Sequence, residues 1–393
     1  MKLIEVNDKS TRKDFLKLPV RLYKDVPQWI RPLDKDVEEV FDPKKNKLFR
    51  NGECTRWILV DDQGKTIGRV AAFVNRKNMK SRNSEGQELR VGGIGFFECI
   101  NDEKAAFMLF DQCKTWLKER DINTIEGPIN FGERDKWWGL LVEGFDREPT
   151  YCMPYTHPYY IPFFEAYGFK EYFRQLTFYR PVYEPLNPKY EEKANRVARD
   201  PKYSFETLKM NQLDKFAEDF RTIYNKAWVR HAGVAKMSSL QAKSIMKQMK
   251  PVIDPNIVSF GYYDGEPIAF FIILPELNQV FKKVNGKLDL WGKLIFLIDK
   301  FLHLNKKMFG VAFGVVPEHQ GKGVEGAMIM ETKDIVDNRI NGRYLDFEMN
   351  WIGDFNPKMV KLAGEIGRVS KVHVTYRKLL DESIVFERCP DIN

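Results

Sequence analysis

The sequence predicts a mixed α/β (α+β) protein of two tandem domains, each a mixed central sheet flanked by helices. Three observations carry that prediction. Thr55–Val74 reads as an apolar run, an Asp/Gly turn and a second apolar run, the pattern of a hairpin, and Asn256–Pro275 repeats it. Tyr167–Pro181 (YGFKEYFRQLTFYRP) is echoed by Ile366–Leu379 (IGRVSKVHVTYRKL), each a helix-ending glycine followed by a strand. The landmark glycines recur at nearly one period, 201 residues from Gly64 to Gly265 and 199 from Gly168 to Gly367. That period is far longer than a solenoid repeat, so it marks two whole domains.

The elements follow in chain order. In the first half Ala105–Arg120 places Phe107, Phe110, Cys113, Trp116 and Leu117 on one face, as expected of a crossover helix between parallel strands. Ile129–Phe145, rich in Gly, Trp and charge, reads as a loop that either reaches the domain interface or lies on the surface. Four prolines and a charged run between Pro181 and Tyr203 break every apolar period. The expected division is therefore a domain over 1–181, a linker over 182–202 and a second domain over 203–393.

In the second half Tyr224, Trp228 and His231 fall at helical spacing and form either a core stripe or one face of a substrate cleft. Leu288–Leu304 is strongly apolar, but Lys293, Asp299 and Lys300 interrupt it short of the ~20 residues a membrane span needs. Leu290, Leu294, Leu297, Phe301 and Leu304 predict a helix packed on its own domain; a membrane-surface helix or an apolar lid is the other reading. A second crossover helix is expected over Val324–Arg339. The strand Asp346–Trp351 puts Asp346, Glu348 and Asn350 on one face, either lining a cleft or solvated at a sheet edge.

Hydrophobic residues make up 43% of the 393 residues and charged residues 30%, a globular composition with no expected membrane span. The net charge of +8 favours an anionic partner, and without a long Lys/Arg block a small anionic ligand comes before nucleic acid. Cys54, Cys99, Cys113, Cys152 and Cys389 are odd in number and unpaired in spacing, so reduced thiols and no zinc or redox site are expected. With no secretion signal at the N-terminus, the expected location is the cytoplasm.

Gly314–Met330 (GVVPEHQGKGVEGAMIM) reads as a strand, a glycine turn and a helix, an arrangement that points backbone N–H groups at an anion. Glycine there lets a phosphate approach the main chain closely. Alone this is a weak signal. In context it resembles the cofactor loop of the GNAT superfamily of acyltransferases, whose Q/R-x-x-G-x-G/A pattern cradles the pyrophosphate of coenzyme A. Tyr344–Gly367 is similar to the superfamily's fifth strand and following helix, and the resemblance covers most of the chain twice. The first half shares the layout, with GGIGFFEC as its counterpart strand, but continues as INDEKAA, where Asp102 and Glu103 oppose phosphate and Asn101 or Asp102 suits a helix N-cap. The first domain is thus expected to be a degenerate copy.

The resemblance implies that Gln320, Gly321, Lys322 and Gly323 take the phosphates and that Val315 and Val316 pair their backbone with the pantetheine arm. Asn356 matches a position where the superfamily often places a cofactor-contacting Asn, and is equally a helix cap. The superfamily's tyrosine acid falls on Ala363 in the second half and Phe164 in the first. Glu325 stands where Gly or Ala is expected. About 5 Å from a phosphate it would oppose binding by about 3 kcal/mol, unless it points away in the first helical turn.

The implied activity is acyl-CoA-dependent N-acyl transfer, with acetyl-CoA or another acyl-CoA as co-substrate, no metal, and a small-molecule or peptide amine as acceptor. Glu348 is the candidate general base, and Tyr224, Trp228 and His231 the candidate acceptor site. The alternatives are a tRNA-dependent aminoacyltransferase of the Fem family, with tRNA as partner, or an acyl-CoA-binding protein without catalysis.

Overall fold

A computed structural model describes residues 1–227 and 236–392. The first half runs through β1 (Lys2–Glu5), α1 (Lys9–Leu22), α2 (Asp34–Val40), β2 (Gly52–Val60), β3 (Thr66–Asn75), β4 (Lys80–Arg82), β5 (Glu88–Cys99), α3 (Glu103–Lys118), β6 (Thr124–Gly127), β7 (Leu140–Glu143), α4 (Tyr160–Ala166) and β8 (Lys170–Pro181). Helix α5 (Pro188–Ala198) follows, within the segment expected to be a linker. The second half continues with β9 (Tyr203–Thr207), α6 (Leu213–Ala227), α7 (Ser239–Met249), β10 (Val258–Tyr263), β11 (Glu266–Pro275), α8 (Asn278–Phe281) and α9 (Leu290–Leu302). It ends with β12 (Lys307–Val315), α10 (Val324–Asp334), β13 (Asp346–Met349), β14 (Ile352–Gly353), α11 (Pro357–Ile366) and β15 (Arg368–Leu379).

Both predicted hairpins form, β2 with β3 and β10 with β11, and their turns place Gly64 and Gly265 at φ 78° and 80°, a region that glycine enters without strain. Both predicted crossovers form as well. β5 runs parallel to β6 around α3, and β12 parallel to β13 around α10. The apolar face of α3 seats Phe110, Cys113 and Leu117 in the first-half core with Phe97 and Phe164. The second-half core gathers Phe216, Phe260, Phe270 and Met328.

The two halves do not keep their own last strands. The strand order is β1-β2-β3-β5-β6-β15-β8-β13-β12-β11-β10-β9, so β15 of the second half joins β6 of the first and β8 of the first joins β13 of the second. The exchanged strands pair antiparallel with each other, Thr375 opposite Phe173. One continuous sheet results, so chain limits at 181 and 203 divide the sequence but not the sheet. β13, flanked by β8 and β12, is an interior strand and not a solvated edge.

Two further differences concern helices. α5 starts with Asn187 accepting from the Lys189 amide and Pro188 in the first turn, and buries Tyr190 and Val197 against α10. The prolines that break the apolar period act here as helix-start signals. α9 does not pack its apolar stripe inward: Leu290, Leu297 and Phe301 are 83%, 60% and 82% exposed, whereas Asp299 is buried.

Candidate functional site

Strands β12 and β13 pair only from Lys307↔Asp346 to Gly310↔Met349, with one further bond from the Asn350 amide to the Gly310 carbonyl. β12 then continues to Val315, still paired to β11, while the chain after β13 turns away into β14, which pairs with β8. The parting leaves one edge of Val311–Val315 without a strand partner. The amide of Val316 donates to Ile268 of β11 at 2.9 Å. Alternation along a strand then turns the peptide of Val315 to the open side, where its carbonyl accepts from Gln320 Nε2 at 2.9 Å. Of the two valines, only Val315 faces the gap. Gln320 ties the turn to the strand.

The turn has the backbone the glycines predict, with Gly321 at φ 72° and Gly323 at φ 101°. Gly323 caps α10 and offers no side chain to its first amides, which have no acceptor inside the helix. Lys322 is exposed beside them. Helix α5 adds two cations that the sequence reading missed: a Cβ on Gly323 would lie 3.2 Å from Arg196 Nη2, and one on Gly326 2.9 Å from Lys193 Cβ. Glu325 does not point away. Its Oε1 accepts from the Gly321 amide at 3.2 Å, bringing a carboxylate onto the loop.

The residues present fit a diphosphate on the outer side of the turn, where nothing lies within 4 Å of a Cβ built on Gly321. The inner side, at Gly323, is covered by α5, whose Lys193 carbonyl stands 3.2 Å from the corresponding Cβ position.

The first half closes the equivalent place. At the end of β5 the Cys99 amide donates to the Tyr160 hydroxyl at 3.0 Å, and the Tyr159 hydroxyl donates to the Cys99 carbonyl at 2.9 Å. The strand edge that is open in β12 is here satisfied by two phenols. Asp102 caps α3, accepting from Lys104 and Ala105 amides at 2.9 and 3.2 Å, so a carboxylate occupies the anion position.

Glu348 lies on β13 one residue before the parting point and is 1% exposed. It forms ion pairs with Lys371 of β15 and Lys307 of β12. Burial would raise its carboxyl, but Lys371 and Lys307 outweigh burial and hold it below the usual carboxylate range. Burial lowers Lys371, which also donates to the Glu148 carbonyl at 2.9 Å. Glu276 lies in the same seam, accepting from the Tyr151 amide at 2.7 Å, and burial raises its carboxyl. All four charged residues belong to the second half, and the first half adds the Glu148 carbonyl and the Tyr151 amide.

On the acceptor side Trp228 and His231 lie outside the described residues. Tyr224 sits on α6 with its ring 6.0 Å from Phe220. Ile129–Phe145, expected to be a loop throughout, ends in β7, which pairs with β15, and its loop part reaches the interface, where Trp351 Nε1 donates to the Arg134 carbonyl at 3.1 Å. Asn356 caps α11, accepting from the Met359 amide at 3.2 Å. Ala363 and Phe164 are buried. Tyr190 brings a phenol to α11, where its hydroxyl donates to Glu365 at 3.1 Å.

No family model matches the chain. A tandem GNAT protein from the clavulanic acid biosynthesis pathway superposes with a TM-score of 0.55 at 11% identity, over 98% of this chain and 99% of that one. The chain therefore has the tandem GNAT fold. It is 25% identical over 386 residues to the bacterial ceramide synthase of Caulobacter vibrioides, covering 97% of this chain and 98% of that protein. It is also 25% identical over 373 residues to Protein YghO of Escherichia coli, covering 92% and 90% respectively.

Proposed function

We propose that the protein is an acyl-CoA-dependent N-acyltransferase that joins a fatty acyl group to a long-chain amine. The observation that carries the transferase reading is the parting of β12 from β13 beside the glycine turn. It supplies a strand edge at Val315, whose carbonyl is held by Gln320, and the amides of the turn and of the start of α10, with Lys322 beside them and Arg196 on the inner side at Gly323. Acyl-CoA would bring the thioester. The phosphates would lie on the outer face of the turn and the pantetheine along Val315, once Glu325 releases the Gly321 amide. The amine attacks the thioester carbonyl, a C–N bond forms as the C–S bond breaks, and the proton lost by the amine ends on the released thiol.

Glu348 is the proposed base. Its two lysines keep it ionised and lower its proton affinity, so it acts through water on an amine that arrives neutral. Asn356 adds a cofactor contact in this reading and Tyr224 an acceptor contact, while Trp228 and His231, the other two acceptor candidates, lie outside the described residues. The long-chain acceptor is supported by the relative named bacterial ceramide synthase, since a ceramide is the amide of a fatty acid and a long-chain amine.

The test is to incubate the purified chain with acetyl-CoA or palmitoyl-CoA and a panel of amines that includes a sphingoid base, following thiol release and amide mass together. Amide from palmitoyl-CoA and the sphingoid base is the expected result. Acyl-CoA binding without turnover of any amine would leave an acyl-CoA-binding protein; amide from acetyl-CoA and short amines alone would remove the lipid acceptor.

A further inference from the structure

Helix α9 is apolar on both sides, with Ile295 and Phe296 packed inward beside Phe281. Its one buried acid, Asp299, faces the protein and binds Lys283 at 3.0 Å, while Trp291, Leu294, Leu297, Ile298 and Phe301 face outward, Trp291 at 74% and Phe301 at 82% exposure. A helix on a water-facing surface carries the opposite pattern. Contiguous exposed apolar surface of this kind marks an interaction site.

The chemistry around the patch selects the partner. Lys287, Lys293, Lys300 and Lys306 are exposed on α9 and its flanks. Of the two acids in that stretch, Asp289 caps the helix through the Gly292 amide at 3.0 Å and Asp299 is neutralised by Lys283. Apolar residues, a tryptophan and a rim of cations are the pattern of a helix lying in the headgroup boundary of an anionic bilayer. At 13 residues α9 spans about 20 Å, shorter than the ~30 Å hydrocarbon core, and no helix among the described residues is long and apolar enough to cross a membrane. Its length suits a helix that lies on a membrane and not one that spans it.

A cavity of ≈ 650 Å³ runs beneath the same helix, and Leu297 and Phe301 belong both to its wall and to the exposed face. Its polar end is made by Arg343, which donates to Asp254 at 2.8 Å. The cavity lies at the start of β12, roughly 25–30 Å of strand away from the glycine turn, so the patch is not part of the proposed acyl-transfer site.

We propose that α9 docks the protein on the surface of an anionic lipid bilayer. This does not depend on acyl transfer: vesicle binding persists even if no amide is ever made. The test is co-sedimentation of the full chain with phosphatidylcholine vesicles, with and without phosphatidylglycerol, for the wild type, L297E/F301E and K287E/K293E. The wild type is expected to pellet with the mixed vesicles and to be released by salt. L297E/F301E should lose about tenfold or more in partitioning. K287E/K293E should lose binding on the mixed vesicles alone. All four positions are exposed, so unchanged melting temperatures accompany these losses. Equal pelleting of the wild type and both variants would overturn the proposal. So would light scattering that shows a wild-type dimer dispersed by L297E/F301E without vesicle binding, which would assign the face to a second copy of the chain.

Discussion

The carboxylate of Glu325 folds back onto the glycine turn that precedes it and accepts the Gly321 amide at 3.2 Å. It thus occupies one of the donors that a phosphate would use. In the absence of ligand this stabilises the turn, because an acid in the first turn of α10 also meets the positive end of the helix dipole.

Glu325→Gln should therefore tighten coenzyme A. A unit charge about 5 Å from a phosphate opposes it by about 3 kcal/mol at an effective dielectric near 20, and exposure reduces that to a gain of about tenfold in Kd. The gain should shrink at high salt. Calorimetric titration at two ionic strengths checks both statements.

The cations facing the turn should act in the opposite direction. Lys322→Glu and Arg196→Glu should each weaken coenzyme A by about tenfold. Both side chains are exposed, so melting temperatures should stay within about a degree or two of wild type. Weakening by Arg196→Glu would bring helix α5 into the cofactor site.

Glu348→Gln should be strongly destabilising, because it leaves Lys371 and Lys307 buried without their counter-charge. Breaking a buried pair in this way costs about 3–5 kcal/mol. Urea unfolding measures it. The proposed role as base adds a kinetic expectation: kcat should fall more than the folded fraction does, at a pH where the amine is neutral.

His373 gives the protein an acid limit. It is fully buried on β15, with Nε2 2.9 Å from the Pro154 carbonyl, and burial pushes its pKa down from 6.5 to about 4; Lys371 adds to the shift and Glu348 opposes it. Because the folded value lies below the unfolded one, the stability it contributes is complete above about pH 6.5 and is lost as the pH falls toward about 4. At about 1.4 kcal/mol per unit the loss reaches about 3 kcal/mol. His373→Gln keeps a donor for Pro154 and should flatten the stability curve across that window in denaturant titrations.

Most of the architecture was legible because it is local. The hairpins announced themselves through Asp/Gly turns, the crossover helices through one apolar face, and the duplication through two landmarks at one period. The glycine turn was legible for the same reason, since Gly321 and Gly323 do locally what their spacing implies. Strand exchange was not legible. β8 and β15 carry similar patterns, so either strand fits either sheet by periodicity, and only the fold decides which neighbour each receives.

The exchange also decides the surroundings of Glu348. A polar strand face suggests solvent, but Lys371 arrives from β15, on the far side of β8, and turns that face into a buried charged seam. Helix α5 escaped notice because prolines and charges hide a short amphipathic pattern whose partner, α10, lies over a hundred residues away. The apolar spacing of α9 fixed a helix but not its orientation. The buried Asp299, an acid amid leucines, was the available sign that the apolar face looks outward.

Calorimetric titration of coenzyme A into the wild type and Glu325→Gln tests the central claim most directly. One saturable site per chain, tightened by Glu325→Gln and lost in a Lys322→Glu/Arg196→Glu double variant, is the predicted result. No binding heat and no thermal stabilisation by coenzyme A for either protein would contradict it, leaving the tandem GNAT fold without its cofactor.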